Sequence, residues 1–114
     1  MIYLTRSALV YAVNICEELP RYKVAIAVSS MDAVTNLVDI ISMNVEDSKA
    51  NFRISKTNCS ILFSNGSYID IFVANEGRRG QRAELLIVDK AIDKELVNCV
   101  LRPYETLDYY KTTL

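Results

Sequence analysis

Val24-Ala25-Ile26-Ala27-Val28 is apolar at every position and is followed by Ser29-Ser30. A strand with one wet face alternates apolar and polar residues, whereas one covered on both faces does not. The run therefore reads as an interior strand, and an interior strand needs elements on either side of it in the chain. Upstream, Ala8, Leu9, Ala12, Val13, Cys16 and Leu19 recur at steps of three and four between Thr5 and Leu19, the spacing of one helical face, and Pro20 ends the helix. Downstream, Met31, Val34, Leu37, Val38 and Ile41 mark a second helical face reaching about Met43, with Ser29 and Ser30 as expected caps.

Further along, residues 44 to 51 are polar and without period, a loop leading to a short strand near Phe52 to Ser55. Cys59 to Ser64 and Ser67 to Val73 flank Asn65-Gly66, the dipeptide of a two-residue hairpin turn whose central positions both take positive φ. Ile69, Ile71 and Val73 alternate with Tyr68, Asp70 and Phe72, giving the hairpin one aliphatic and one mixed face. A glycine-punctuated basic loop with Arg78, Arg79 and Arg82 then enters Leu85-Leu86-Ile87-Val88, a second wholly apolar strand, closed by Asp89. Ala91 to Leu101 reads as a closing helix with Pro103 just past its end, followed by a tail bearing Tyr104, Tyr109 and Tyr110.

The pattern predicts one domain over residues 1–114, a three-layer α/β fold. Strands at about 23–28 and 84–88 lie parallel in the sheet, the hairpin extends or flanks it, and helices cover both faces. The 114 residues suffice for one core, and 51% hydrophobic with 24% charged is the composition of a folded protein. Thirteen basic against fourteen acidic residues leave a net charge of −1, so any polyanion site is local rather than a property of the whole surface.

Bulk features remove several function classes. Cys16, Cys59 and Cys99 are widely spaced, with no C-x-x-C pair and no histidine to complete a zinc site, and they read as reduced, packed thiols. The longest apolar runs fall far short of the roughly 20 residues of a spanning helix. A cytoplasmic location is the expectation, the host cell's cytoplasm if the chain is phage-encoded. The triplets Asn58-Cys59-Ser60 and Asn65-Gly66-Ser67 would matter as glycosylation sites only on a secreted chain. No serine, cysteine or lysine has an identifiable activating partner. Asp93 and Glu95 read as a solvated helix face.

Three segments carry a resemblance when taken in order: Val24-Ala25-Ile26-Ala27-Val28-Ser29-Ser30, then Ile61-Leu62-Phe63-Ser64-Asn65-Gly66-Ser67-Tyr68-Ile69, then Arg79-Gly80-Gln81-Arg82-Ala83-Glu84-Leu85-Leu86-Ile87-Val88-Asp89. Together they resemble the central, RecA-like ATPase core of phage terminase large subunits and related helicases, over about Thr5 to Leu101. The resemblance implies that Asp89 is the magnesium-holding aspartate, here vestigial. It also places Lys90 where the family has the glutamate that orients the attacking water, a role a charged lysine cannot fill.

No G-x-x-x-x-G-K-[ST] loop occurs, and Thr5-Arg6-Ser7 falls where its end would meet the following helix. Without that cradle of backbone N–H groups a triphosphate has no site. The implied function is a non-hydrolytic remnant of phage origin, without cofactor, that acts by protein binding as a regulator or inhibitor. Its partner would be another protein or a second copy at an exposed sheet edge. Two alternatives stand beside it: part of a DNA-packaging ATPase whose phosphate loop lies on another segment, or a small nucleic-acid-binding module. For the latter, Arg78, Arg79 and Arg82 would contact phosphates, against the plainer reading that they are solvated and paired with Glu76 and Glu84. The tyrosine-bearing tail reads as packing or an interface rather than a base-stacking platform, since it lacks interleaved positive charge.

Overall fold

The computed structural model describes residues 1–55, 58–75 and 82–101. Its elements are β1 (Ile2–Tyr3), α1 (Arg6–Glu18), β2 (Lys23–Val28), α2 (Asp32–Asn44), β3 (Asn51–Ile54), β4 (Asn58–Leu62), β5 (Tyr68–Val73), β6 (Leu85–Val88) and α3 (Lys94–Leu96). The last passes into a π-helical turn over Val97–Leu101. The strands form one six-stranded sheet in the order β1-β6-β2-β5-β4-β3. β1, β6, β2 and β5 are mutually parallel neighbours, while β4 and β3 continue the sheet antiparallel. The chain is thus an α/β fold with a mostly parallel mixed sheet.

β2 is the interior strand that its composition demands. It pairs with β5 along all six residues and with β6 from Val24 to Ala27, and Val24 to Val28 are buried throughout. The pleat sends Val24, Ile26 and Val28 to one face, where they meet Ile69 and Ile71 of β5, Leu85 and Ile87 of β6, and the inner sides of both long helices. Ala25 and Ala27 point to the opposite face with Phe72, Leu86 and Val88, under Ile92, Val97 and Leu101. Alanines suit that second face, because the short α3 and its π turn press close against the sheet.

Helix α1 starts where Thr5 accepts the Ala8 N–H on its hydroxyl at 3.0 Å. Helix α2 has no such cap. Met31 holds the capping position without a side-chain hydrogen bond, so the expected serine caps do not form. A cap is worth about 1 kcal/mol, whereas each of the buried Val34, Leu37 and Ile41 contributes about 1.5–3 kcal/mol by burial. Packing therefore holds α2 in place without help from its first turn.

The hairpin β4–β5 forms, but with a different turn from the one its sequence suggests. Phe63 donates its N–H to the Ser67 carbonyl at 2.8 Å, and Gly66 donates back to the Phe63 carbonyl at 3.1 Å. Gly66 has φ of 88°, and Asn65 keeps a negative φ. Three residues thus lie between the closing pair, in a type I turn followed by a left-handed glycine. The cause is the side chain of Asn65, which is committed elsewhere: its amide donates to the Cys16 carbonyl at 2.8 Å and to the Leu19 carbonyl at 3.3 Å, and its oxygen accepts the Ser67 N–H.

Ser67, fully buried, donates its hydroxyl to the Leu19 carbonyl and accepts the Tyr22 N–H at 2.9 Å. Asn65, Gly66 and Ser67 therefore clasp the end of α1, satisfying carbonyls that a helix C-terminus leaves orphaned. A second set of ties runs through the α2–β3 loop. Glu17 accepts the Glu46 and Asp47 N–H groups, and Asp47 accepts those of Lys49 and Ser64. The hydrogen bonds from the Ser64 and Lys49 N–H groups hold the Asp47 carboxyl below its ordinary value.

The closing helix begins at Lys94, three residues past the Ala91 start expected from the sequence. Asp89 first folds the backbone into a turn by accepting the Ala91 N–H at 3.0 Å, and Asp93 then caps the helix by accepting the Glu95 N–H at 3.1 Å. An aspartate in a turn competes with the helix ladder for backbone donors, whereas one at the capping position starts the helix. The two-residue β1, which periodicity cannot detect, lies along β6 with Ile2 opposite Ile87 and Tyr3 opposite Val88.

Three outcomes follow. Ser67→Ala leaves buried partners unsatisfied and should lower unfolding free energy by about 1–3 kcal/mol in urea titration. Gly66→Ala, which demands positive φ of an L side chain and brings Cβ to 3.3 Å from Arg21 Cγ, should cost roughly 1 kcal/mol in the same titration. Burial, with the charges of Glu84 and Glu17 adding to it, pushes the Cys16 thiol from 9.0 up to about 12. Between those values the unfolded chain binds fewer protons than the native one, so stability should fall as pH rises through this window. Denaturation midpoints at neutral and alkaline pH should separate further for the wild type than for Cys16→Ala.

Candidate functional site

Parallel strands leave their carboxyl ends free of the crossovers that feed them, and ligands of open α/β sheets collect along that edge. Here the carboxyl ends of β1, β6 and β2 lie side by side and carry Leu4, Asp89 and Ser29. Asp89 continues the ladder by one step, its N–H donating to the Ala27 carbonyl at 3.0 Å. Its carboxylate is held from two directions. Ser29 donates its hydroxyl to Oδ2 at 3.2 Å, and the Ala91 N–H reaches Oδ1. Ser29, expected as a helix cap, is instead the neighbour that fixes Asp89, a role visible only once the two strand ends are known to be adjacent.

Lys90 follows in the tight turn, and its ammonium sits 5.4 Å from the centroid of the Tyr3 ring on the neighbouring edge strand. That is cation–π distance. Behind the turn lies a cavity of about 530 Å³ lined by Met1, Tyr3, Val88, Asp89, Lys90, Ile92, Lys94, Val97 and Asn98. The sequence offered little warning of Tyr3. The only available signal was Ile2-Tyr3-Leu4 directly before a capping threonine, a triplet too short to show a period.

The residues around Asp89 do not fit a resident magnesium ion. They supply one carboxylate, already accepting two hydrogen bonds, and one hydroxyl, with an ammonium as the next residue along the chain. Magnesium keeps near-ideal octahedral geometry and is ordinarily held by carboxylates together with substrate phosphates. Among the described residues no group of three or more histidine, cysteine or acidic side chains is placed to hold a metal. The link from β1 to α1 consists of Leu4 and Thr5, and the Thr5 hydroxyl is used on the helix's own Ala8 N–H. No cradle of free amides stands at that strand end.

The other sequence-derived candidates lie elsewhere. Arg78 and Arg79 fall outside the described residues. Arg82 is exposed and lies two residues before the buried Glu84, at the amino end of β6, the opposite end of that strand from Asp89. Glu84 joins the amino ends of β6 and β2: its N–H donates to the Lys23 carbonyl at 2.9 Å and its Oε2 accepts the Lys23 N–H at 3.3 Å. Ala83 is buried in the second-face core. The end of the arginine loop thus builds the sheet, and its one described arginine is a strand's length from the carboxyl edge. Cys16 and Cys59 are buried free thiols raised above their ordinary range by burial, with Asp70 adding to the effect at Cys59. Neither is poised as a nucleophile. No helix among the described residues is long and apolar enough to cross a membrane.

Compared with family models, with curated proteins and with solved structures, the chain matched none.

Proposed function

We propose that this chain is a non-hydrolytic ATPase-core remnant, of the kind suggested by its resemblance to phage terminases and related helicases, and that it acts by binding another protein. The observation that carries the reading is the position of Asp89. It closes an interior parallel strand at the sheet's carboxyl edge, beside the end of β2, where such a core holds its metal-bound triphosphate.

The same edge supports the loss of hydrolysis. The strand-to-helix link before α1 is two residues long and carries no glycine, so it offers no amide nest for a phosphate chain. Lys90, where a water-orienting carboxylate would be needed, is a cation engaged with Tyr3. What remains is a folded sheet with two edges. β1 is only two residues long, while β3 presents a four-residue edge on the far side, ending at Ile54, which is 72% exposed. An open edge strand offers main-chain donors and acceptors to an incoming strand, and strand addition is a common mode of protein recognition. We assign the binding role to β3, with regulation of a partner as its consequence.

Purified chain supplied with ATP and magnesium should release no phosphate above a protein-free blank, and its molar mass by sedimentation should stay the same with nucleotide or DNA. Ile54→Pro, which removes an N–H that faces away from β4 on the open side of the edge strand, should weaken self-association or partner binding by about tenfold or more. ATP turnover that disappears in Asp89→Ala would contradict the proposal directly.

A further inference from the structure

The cavity behind Asp89 is used by neither the fold nor the proposed protein contact, and its lining is specific in character. Its floor is apolar and buried, made of Val88, Ile92 and Val97. Its rim carries two ammonium groups, Lys90 and Lys94, the first lying over the Tyr3 ring. The single carboxylate in the lining, Asp89, has both oxygens committed, one to the Ser29 hydroxyl and one to the Ala91 N–H. Tyr3 forms one wall with its ring, already within cation–π distance of Lys90. A volume of about 530 Å³ falls inside the range of roughly 300–1,000 Å³ typical of small-molecule sites, and the position at the carboxyl ends of parallel strands is where such sites form.

We infer that this cavity binds a small organic anion, a carboxylate or phosphate carried on a flat apolar group. The anionic group would sit against Lys90 and Lys94, where charge-assisted hydrogen bonds are the strong ones. The flat group would lie on Val88, Ile92 and Val97 against the Tyr3 ring, removing apolar surface from water. Asp89 acts here as a fixed wall and Asn98 as a neutral polar group at the rim. The pocket's own lining carries this inference, independently of any kinship with ATPases.

The test is a titration of the ¹⁵N-labelled full chain with phenyl phosphate and, separately, with 3-phenylpropionate. Amide shifts confined to Tyr3, residues 88–92 and residues 94–98 are expected, and the tighter of the two ligands identifies which anion the site prefers. Lys90→Gln and Lys94→Gln should each weaken binding by about tenfold, as expected for a lost charge-assisted contact, while amides distant from the pocket keep their positions. The neutral 3-phenylpropanamide should bind at least about tenfold more weakly than the propionate for the same reason. Four results would overturn the inference: no shifts at millimolar ligand, shifts located elsewhere, affinity unchanged in the double lysine variant, or inorganic phosphate binding as well as phenyl phosphate.

Discussion

The double pairing of β2 is the constraint on which the rest of the molecule depends. A strand whose residues are apolar on both faces can be accommodated only where both faces are covered and both rows of backbone groups are paired. β5 and β6 supply the pairing, α1 and α2 cover one face, and the C-terminal turns cover the other. Once β2 is central and its neighbours are parallel to it, their carboxyl ends must lie along one edge. The adjacency of Ser29 and Asp89, the Lys90 turn and the cavity behind it all follow from that alignment.

The hairpin turn shows how a short motif can be shaped by long-range contacts as well as by its own propensity. Asn65 and Ser67 hydrogen-bond carbonyls at the end of α1, while Gly66 supplies the left-handed residue that closes the turn. Similarly, Ala83 and Glu84 complete the arginine-loop motif in sequence while packing the second face and tying β6 to β2. Such residues hold the sheet together whatever its edge binds.

Much of the architecture was legible in the residues because two signals are strong in short segments: the unbroken apolar runs of β2 and β6, and the aliphatic face of Ile69 and Ile71 beside an Asn-Gly turn. Three features were not legible, each for a physical reason. β1 has two residues and no period to read. The hairpin turn type was set by a long-range side-chain contact, Asn65 to α1, that local propensity does not encode. The start of α3 is set by Asp89, which turns the chain ahead of it, and by Asp93, which caps it. The site was half visible: Asp89 stood out as a carboxylate at a strand end, whereas Ser29, Tyr3 and Lys94 reach it only through the fold. Arg78 and Arg79, singled out for charge, lie outside the described residues, and Arg82 sits at the far end of β6.

Amide hydrogen exchange resolved by residue tests the central placement of β2 most directly. If both edges of β2 are paired and both faces buried, Val24 to Val28 should exchange only through global unfolding, at the slowest rates in the molecule, with the amides of Asn51 to Ile54 orders of magnitude faster. Exchange at β2 as fast as at the edge strand β3 would contradict the account, because the carboxyl edge that aligns Ser29 with Asp89 would then lack its central support.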